Sequence, residues 1–252
     1  MDLGLRDQTY IVTGASRGLG AASAQELVGD GAKVVVSSRS VESLAPLTEI
    51  LGTNNCEAVV ADNADPQTPD RLVSAAQNRW GRLHGALISV GGPTTGPITA
   101  ISDEQWRDAF ESVFLGALRI ARAVADNLPD GGSIVFVLSS SVRSPIPGLS
   151  VSNGLRPGLA MAAKTLADEL GPQGIRVNGL MPGRVDTERV RELDAMSGDP
   201  DEARSRNEQL IPLRRYGLPE EFGRVAAFLL SPAASFVSGA FVPVDGGMLR
   251  AV

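Results

Sequence analysis

Three glycines behind a short apolar run constrain this chain more than any other feature. The run Thr9 to Thr13 is β-prone and enters the turn Gly14-Ala15-Ser16-Arg17-Gly18-Leu19-Gly20. An alanine-rich, apolar-periodic segment, Leu19 to Val28, leaves it. The reading is strand, tight turn, helix. Gly14 permits the sharp turn, Gly18 lets backbone come close to a ligand, and Gly20 lets the helix pack closely on the strand. The new helix N-terminus aims free N–H groups and a positive dipole end at the gap, which suits a pyrophosphate. An ordinary turn can also use three glycines. The strand before, the helix after and the place near the start of the chain favour a dinucleotide site.

The rest of the chain repeats that alternation. Gly31 to Ser38 reads as a buried second strand, and Ser40 caps a helix to about Leu51 that Pro46 is expected to break or kink. Cys56 to Ala61 is a third strand, followed by a helix from Thr68 or Asp70 to Trp80. Leu83 to Val90 is the fourth, ending in a Gly-Gly-Pro loop. Ser102-Asp103-Glu104-Gln105 caps a long helix to about Asn127. Ser133 to Leu138 is a fifth strand, Ser150 to Leu170 a second long helix, and Ile175 to Met181 a sixth strand. Asp186 to Pro219 is arginine-rich, with two short helices separated by Gly198-Asp199-Pro200, and reads as a lid over a ligand crevice or a solvated surface. A helix from Pro219 to about Leu230 and a strand from Ala240 to Val244 finish the pattern. Alternating strands and helices predict an α/β, Rossmann-like, doubly wound parallel sheet of about seven strands, covered on both faces. With no repeat or linker, residues 1–252 read as one domain.

Totals exclude several functions. The net charge of −6 argues against a nucleic-acid partner. One cysteine, Cys56, and one histidine, His84, leave no metal centre and no Ser-His-Asp triad. His84 falls at the start of the fourth strand, away from the crevice, where a structural role is expected. No apolar run reaches roughly 18 residues, so no membrane span is expected. Met1 to Asp7 lacks an apolar signal core, which makes the cytoplasm the expected location.

The glycine spacing T-G-x-x-x-G-x-G at Thr13, Gly14, Gly18 and Gly20 resembles the short-chain dehydrogenase/reductase family. Asp62-Asn63 after the third strand, Arg176-Val177-Asn178, Pro182-Gly183-Arg184-Val185-Asp186-Thr187 and Val244-Asp245-Gly246-Gly247 resemble it too, so the likeness spans nearly the whole chain. The resemblance implies a nicotinamide cofactor held by Thr13, Gly14, Ser16, Arg17, Gly18, Leu19 and Gly20, with Asp62 and Asn63 at the adenine. Gly91, Arg156, Pro182, Gly183, Val185 and Thr187 would serve the nicotinamide half. At the end of the second strand an acidic residue would bind a ribose 2′-OH and repel a 2′-phosphate. Here stand Ser38 and Arg39, with Arg17 in the glycine turn. Two guanidinium groups suit a phosphate, so NADP(H) is expected, with NAD(H) as the lesser alternative.

The family's chemistry uses a Tyr-x-x-x-Lys pair, a preceding serine and an asparagine in the earlier long helix. Anchoring on Gly132 to Ser139 places the serine at Ser139. Counting back from Lys164-Thr165-Leu166-Ala167-Asp168-Glu169 places the pair at Ser152 and Arg156, and spacing from Ser139 agrees. The asparagine position is Val113, and the strand-four motif reads Ser89-Val90-Gly91-Gly92. Serine is a far weaker acid than a phenol of pKa about 10. Arginine binds ribose hydroxyls but gives up no proton. Lys164 lies eight helical residues beyond Arg156, about 12 Å along the axis, too far to stand in. Tyr216, after the lid, is the remaining candidate proton donor, with Ser141 and Arg143 as possible partners of Ser139. The chain resembles a divergent branch of the family, labelled 3-oxoacyl reductases by fold, with Ser-Asn-x-x-Arg on this helix.

Three functions fit an intact cofactor set with an altered tetrad. The first is an NADP(H)-dependent oxidoreductase on a carbonyl or hydroxyl of a small-molecule substrate, with Ser139, Ser152 and Arg156 as the catalytic set. The second is a non-redox dehydratase or isomerase, the third an inactive NADP(H)-binding regulator. Apolar residues on more than one face of the long helices, and the family resemblance, imply a homo-oligomer, tetramer or dimer.

Overall fold

A computed structural model describes residues 2–196 and 198–250. Seven strands form one parallel sheet: β1 Thr9–Val12, β2 Lys33–Ser38, β3 Cys56–Val60, β4 Gly85–Ile88, β5 Gly132–Val137, β6 Ile175–Pro182 and β7 Phe241–Val244. Their order is β3-β2-β1-β4-β5-β6-β7. The chain winds outward from β1 through β2 to β3, then returns to pair β4 on the other side of β1, with Tyr10 opposite both Val34 and Gly85. Reversal of the winding at β1 and β4 opens a crevice beyond their carboxyl ends, where ligands of such sheets bind.

Both faces are covered because the strands are apolar throughout rather than alternating. On one face lie α1 Gly18–Gly29, α2 Val41–Leu51 and α9 Pro219–Leu230, packed on Val12, Val34, Val36, Leu87, Val135 and Val137. On the other lie α3 Thr68–Trp80, the long helix after β4 and α6 Ser150–Leu170, packed on Ile11, Val35, Ile88, Ile134 and Phe136. Tyr10 and Cys56 are buried in the first of these cores. His84 sits at the amino end of the sheet, its Nδ1 accepting the Thr9 N–H at 2.9 Å, and burial lowers its pKa.

Two elements depart from the sequence reading. Pro46 neither breaks nor ends α2. The proline lies on the exposed face, so the missing backbone donor costs little there. Leu44, Leu47 and Leu51 hold the opposite face in the core, and Ser40 Oγ caps the start by accepting the Ser43 N–H at 3.3 Å. The long helix after β4 forms without a break, but it is not α-helical throughout. It consists of α4 Asp103–Ala109, a π-helical turn Phe110–Leu115 and α5 Gly116–Ala125. The Ser102–Gln105 capping box forms at its start, as its sequence predicts. The π turn carries Val113 into the core and sets Gly116 so close to the Asn63 carbonyl that no Cβ fits between them. The lid segment folds as α7 Glu188–Met196 and α8 Pro200–Leu210.

Candidate active site

The crevice begins at the glycine turn. Gly14 and Gly18 take φ of +58° and +59°, the left-handed region that favours glycine. A Cβ on Gly20 would lie 2.5 Å from the Gly14 carbonyl oxygen, so the helix closes on the turn only with glycine there. Arg17 stands at the N-cap of α1 with no side-chain cap, and no acid occupies the first turn. The first N–H groups of α1 are therefore left for a ligand, and the dipole favours an anion. Thr13 ties the turn to the end of β4: its Oγ1 donates to the Ser89 carbonyl at 2.6 Å and accepts the Ser89 N–H at 2.9 Å. Asn63 Nδ2 donates to the same carbonyl at 3.3 Å. Ser89 thus joins three loops of the crevice, a role its spacing did not reveal.

At the end of β2, Ser38 Oγ donates to the Ser40 carbonyl at 2.9 Å and contacts Ser43 Oγ at 2.6 Å. Arg39 is exposed, and no acidic residue among the described residues pairs with it. Ser37, two residues before Arg39, is buried with its hydroxyl unpartnered, the one such enclosed side-chain atom among the described residues. Asp62 Oδ1 accepts the Ala64 N–H at 2.9 Å, which shapes the turn after β3. The uncapped helix end, the close glycine turn and the orphaned Ser37 hydroxyl together fit a dinucleotide.

Arg17 is not free for a 2′-phosphate in the way its sequence position implies. Its guanidinium pairs with Glu188 and lies 3.7 Å from Glu192, both on α7. Helix α7 also reaches across the crevice, where Arg189 Nη2 donates to the Pro93 carbonyl at 3.2 Å. A Cβ on Gly92 would lie 2.7 Å from Arg189 Nε, so the Gly-Gly-Pro loop leaves room for that arginine. Glu188 and Arg189 were missed by sequence reasoning, because nothing in a charged helix marks which face spans a crevice. Gly183 N–H bonds the Val244 carbonyl at 3.0 Å, Val185 pairs with Gly217, and Thr187 packs its methyl against Gly18. The Pro182–Thr187 loop and the glycine turn therefore meet across the crevice.

The altered tetrad positions gather as two loops and one helix face. Ser139 Oγ accepts the Ser141 N–H at 3.1 Å, which leaves its own O–H free to donate elsewhere. Ser141 and Ser152 are buried with their hydroxyl oxygens 3.1 Å apart. Arg156 follows Ser152 by one turn of α6 and is 6 % exposed. Its Nη1 donates to the Val137 carbonyl at 2.6 Å, and burial alone drags its pKa down to about 10. Asn153 clamps the intervening loop: its Oδ1 accepts the Ile146 N–H at 3.0 Å and its Nδ2 donates to the Ile146 carbonyl at 2.9 Å. Gly154 gives the Trp106 ring its place, since a Cβ there would lie 2.8 Å from it. Val113, on the π turn, is buried with Leu159 and Ala160 and has no polar function.

Tyr216 is committed elsewhere. Its hydroxyl donates to Asp194 Oδ2 at 2.9 Å and accepts from Asn207 Nδ2 at 3.0 Å, while Arg204 stacks on its ring at 4.6 Å. Desolvation by burial, with the Asp194 contact, raises its pKa despite the Asn207 bond and the nearby Arg184. The tyrosine ties α7 to α8 and is no proton donor for the crevice. We expect Tyr216→Phe to destabilise the protein by about 1–3 kcal/mol by removing a donor from a buried carboxylate. A melting temperature lower by roughly 2–4 °C per kcal/mol would show it, and an unchanged melt would contradict it.

Among the described residues no group of three or more His, Cys, Asp or Glu side chains is placed to hold a metal ion, and no helix is long and apolar enough to cross a membrane.

Comparison with known proteins agrees with this architecture. The family described as Enoyl-(Acyl carrier protein) reductase matches residues 14–249. An uncharacterized oxidoreductase of Mycobacterium tuberculosis is 34% identical over 251 residues, covering 96% of this chain and 92% of that one. The 3-oxoacyl-[acyl-carrier-protein] reductase MabA of Mycobacterium bovis is 30% identical over 243 residues, covering 96% and 92%. The L-sorbose reductase of Gluconobacter frateurii, solved with NADPH and L-sorbose, superposes with a TM-score of 0.93 at 28% identity, covering 100% of both chains. By sequence, sheet order and crevice, this chain belongs to the short-chain dehydrogenase/reductase family of oxidoreductases.

Proposed function

We propose that residues 1–252 act as one NADP(H)-dependent oxidoreductase domain on a carbonyl or hydroxyl substrate, with serines and an arginine in place of the tyrosine and lysine. The observation that carries this is the uncapped N-terminus of α1 inside its glycine turn, together with an Arg39 that has no acidic partner among the described residues and no acid at the end of β2. A family structure solved with NADPH supports the same cofactor. Thr13 through Gly20 would hold the pyrophosphate, Ser38 and Arg39 the 2′-phosphate, Asp62 and Asn63 the adenine. Gly91, Pro182, Gly183, Val185 and Thr187 would enclose the nicotinamide. When bound, the dinucleotide supplies or accepts the hydride. The free O–H of Ser139 donates to the substrate oxygen as negative charge grows there, and the guanidinium of Arg156 stabilises that charge without giving up a proton. Ser141 and Ser152, hydroxyl to hydroxyl, hold the loop against α6, and solvent provides the proton.

Steady-state oxidation of NADPH with a panel of activated ketones tests the reading. Turnover is expected. Tight NADPH binding with no turnover of any carbonyl would instead favour a regulator, and product formation without net redox a dehydratase or isomerase.

The helix pair also implies a homo-oligomer, a tetramer by family resemblance. Phe110, on the π turn, is 42% exposed and stacks on Phe114, and Met161 on α6 is 68% exposed. A second copy of these helices would cover both. Light scattering is expected to give two or four times the 26.3 kDa chain mass, and Phe110→Asp to lower it. A wild-type mass of one chain at micromolar concentration would refute the assembly.

A further inference from the structure

Charge pairing around the crevice leaves one buried cation over. Asp186 is held by Arg191 at 2.8 Å and Arg204 at 3.1 Å. Glu188 is held by Arg17, Glu192 by Arg189 at 3.3 Å, and Asp194 by Arg184 at 3.0 Å. Each of these lid carboxylates therefore has an arginine. Arg156 is more enclosed than any of those arginines, and among the described residues no carboxylate pairs with it. Its protein partner is one neutral carbonyl, that of Val137. A guanidinium drawn out of water without a counter-ion is costly, and removal of its solvent is what lowers its pKa.

The free edge of Arg156 can be identified. Nη1 is committed to Val137, while Nε and Nη2 have no acceptor among the described residues. Neither is fully enclosed, since Ser37 Oγ is the one enclosed unpartnered side-chain atom among the described residues. These two N–H groups therefore keep some contact with solvent, beside the carboxyl end of β5 where Nη1 is anchored. They are parallel donors on one edge of a rigid plane, the arrangement that accepts a carboxylate through two bonds. Val137 lies two residues before Ser139, and Ser152 lies one helical turn before Arg156. Arg156 is thus anchored to the strand that leads into Ser139, on the same helix and one turn beyond Ser152, whose hydroxyl meets that of Ser141.

We infer that the substrate is a 2-oxo acid or its 2-hydroxy counterpart, with the carboxylate on the Nε–Nη2 edge of Arg156 and the neighbouring oxygen on Ser139. The inference rests on the oxidoreductase reading and names its substrate class. Pyrophosphate has its own donors at the start of α1, and the nicotinamide ribose carries no charge to neutralise the arginine. Such a carbonyl is also activated by its carboxyl neighbour, which suits a site lacking a strong acid.

Calorimetry on the NADPH-saturated protein tests it with two unreactive 2-oxo acid isosteres, oxamate and N-benzyloxamate, each against its neutral ethyl ester. NADPH affinity is measured first by fluorescence. Failure of the wild type to bind NADPH would remove the oxidoreductase reading itself. With NADPH bound, the acid of at least one pair is expected to bind about thirtyfold or more tighter than its ester, the range of a charge-assisted hydrogen-bonded pair. In Arg156→Gln, titrated at NADPH concentrations that saturate the variant, that gap is expected to collapse, and Arg156→Lys should restore part of it. Equal binding of acid and ester in the wild type, or no binding of any of the four, would overturn the assignment without any variant. So would a gap that survives Arg156→Gln, or a variant that loses NADPH instead, which would assign the arginine to the cofactor.

Discussion

Ser139→Ala is expected to lower kcat for carbonyl reduction by about 10²–10³, the usual cost of removing one donor to a developing oxyanion, whereas Ser152→Ala should change it little. The asymmetry follows from geometry. Ser139 accepts the Ser141 N–H and keeps its own proton for a substrate oxygen. Ser152 is buried against Ser141, and its hydroxyl is too weak an acid to drive protonation. General acid catalysis contributes typically 10²–10⁴-fold, so turnover of ordinary ketones should fall below that of a tyrosine-containing relative by roughly that factor. Reinstating the pair as Ser152→Tyr with Arg156→Lys is not expected to rescue the rate. The phenol would displace the packing of Ser141 on α6, and Val113 on the π turn supplies no water site. Single-turnover rates of the two alanine variants check the claim. A larger loss at Ser152 than at Ser139 would assign Ser152 a direct chemical role.

NADPH is expected to bind at least tenfold more tightly than NADH, about 1.4 kcal/mol. Ser38 and Arg39 stand where an acid would repel a 2′-phosphate, and Arg39 has no acidic partner among the described residues. The structure ranks the two arginines. Arg17 already faces Glu188 and Glu192, so a phosphate must compete with two carboxylates for it. Arg39→Ala should therefore erase most of the preference and Arg17→Ala less. Both guanidiniums are exposed, so the preference should shrink as salt rises. Fluorescence titration of both cofactors against the two variants is the check. Equal affinities in the wild type, or an unchanged preference in Arg39→Ala, would reject the assignment.

The sheet was legible because its strands are uniformly apolar and its turns are marked by glycine and proline. Helix α6 and helix α9 begin and end where their residues predict. Pro46 misled because a proline signals a break without showing which face of the helix is solvated. The π turn was hidden because Phe110 to Leu115 has ordinary helical composition, and its cause is a distant contact, the Asn63 carbonyl against Gly116. Spacing placed Ser139, Ser152 and Arg156, and the structure brings the first two together through Ser141. Spacing did not show that Tyr216 is consumed by Asp194 and Asn207, or that Glu188 takes Arg17. Those are pairings between side chains far apart in sequence, and charge patterns alone do not choose partners.

The pH dependence of kcat at saturating NADPH tests most directly whether the site works without a positioned acid. The groups around the crevice are serines, carboxylates and arginines, side-chain types whose ordinary pKa values lie outside pH 6 to 9. Arg156 is lowered only to about 10. His84 lies at the opposite end of the sheet, Cys56 is buried in β3 with its thiol pushed up to about 11, and Tyr216 is raised within the lid. A flat profile between about pH 6 and pH 9 is expected. A rate that falls tenfold per unit with an apparent pKa inside that window would reveal a titrating proton donor and contradict it.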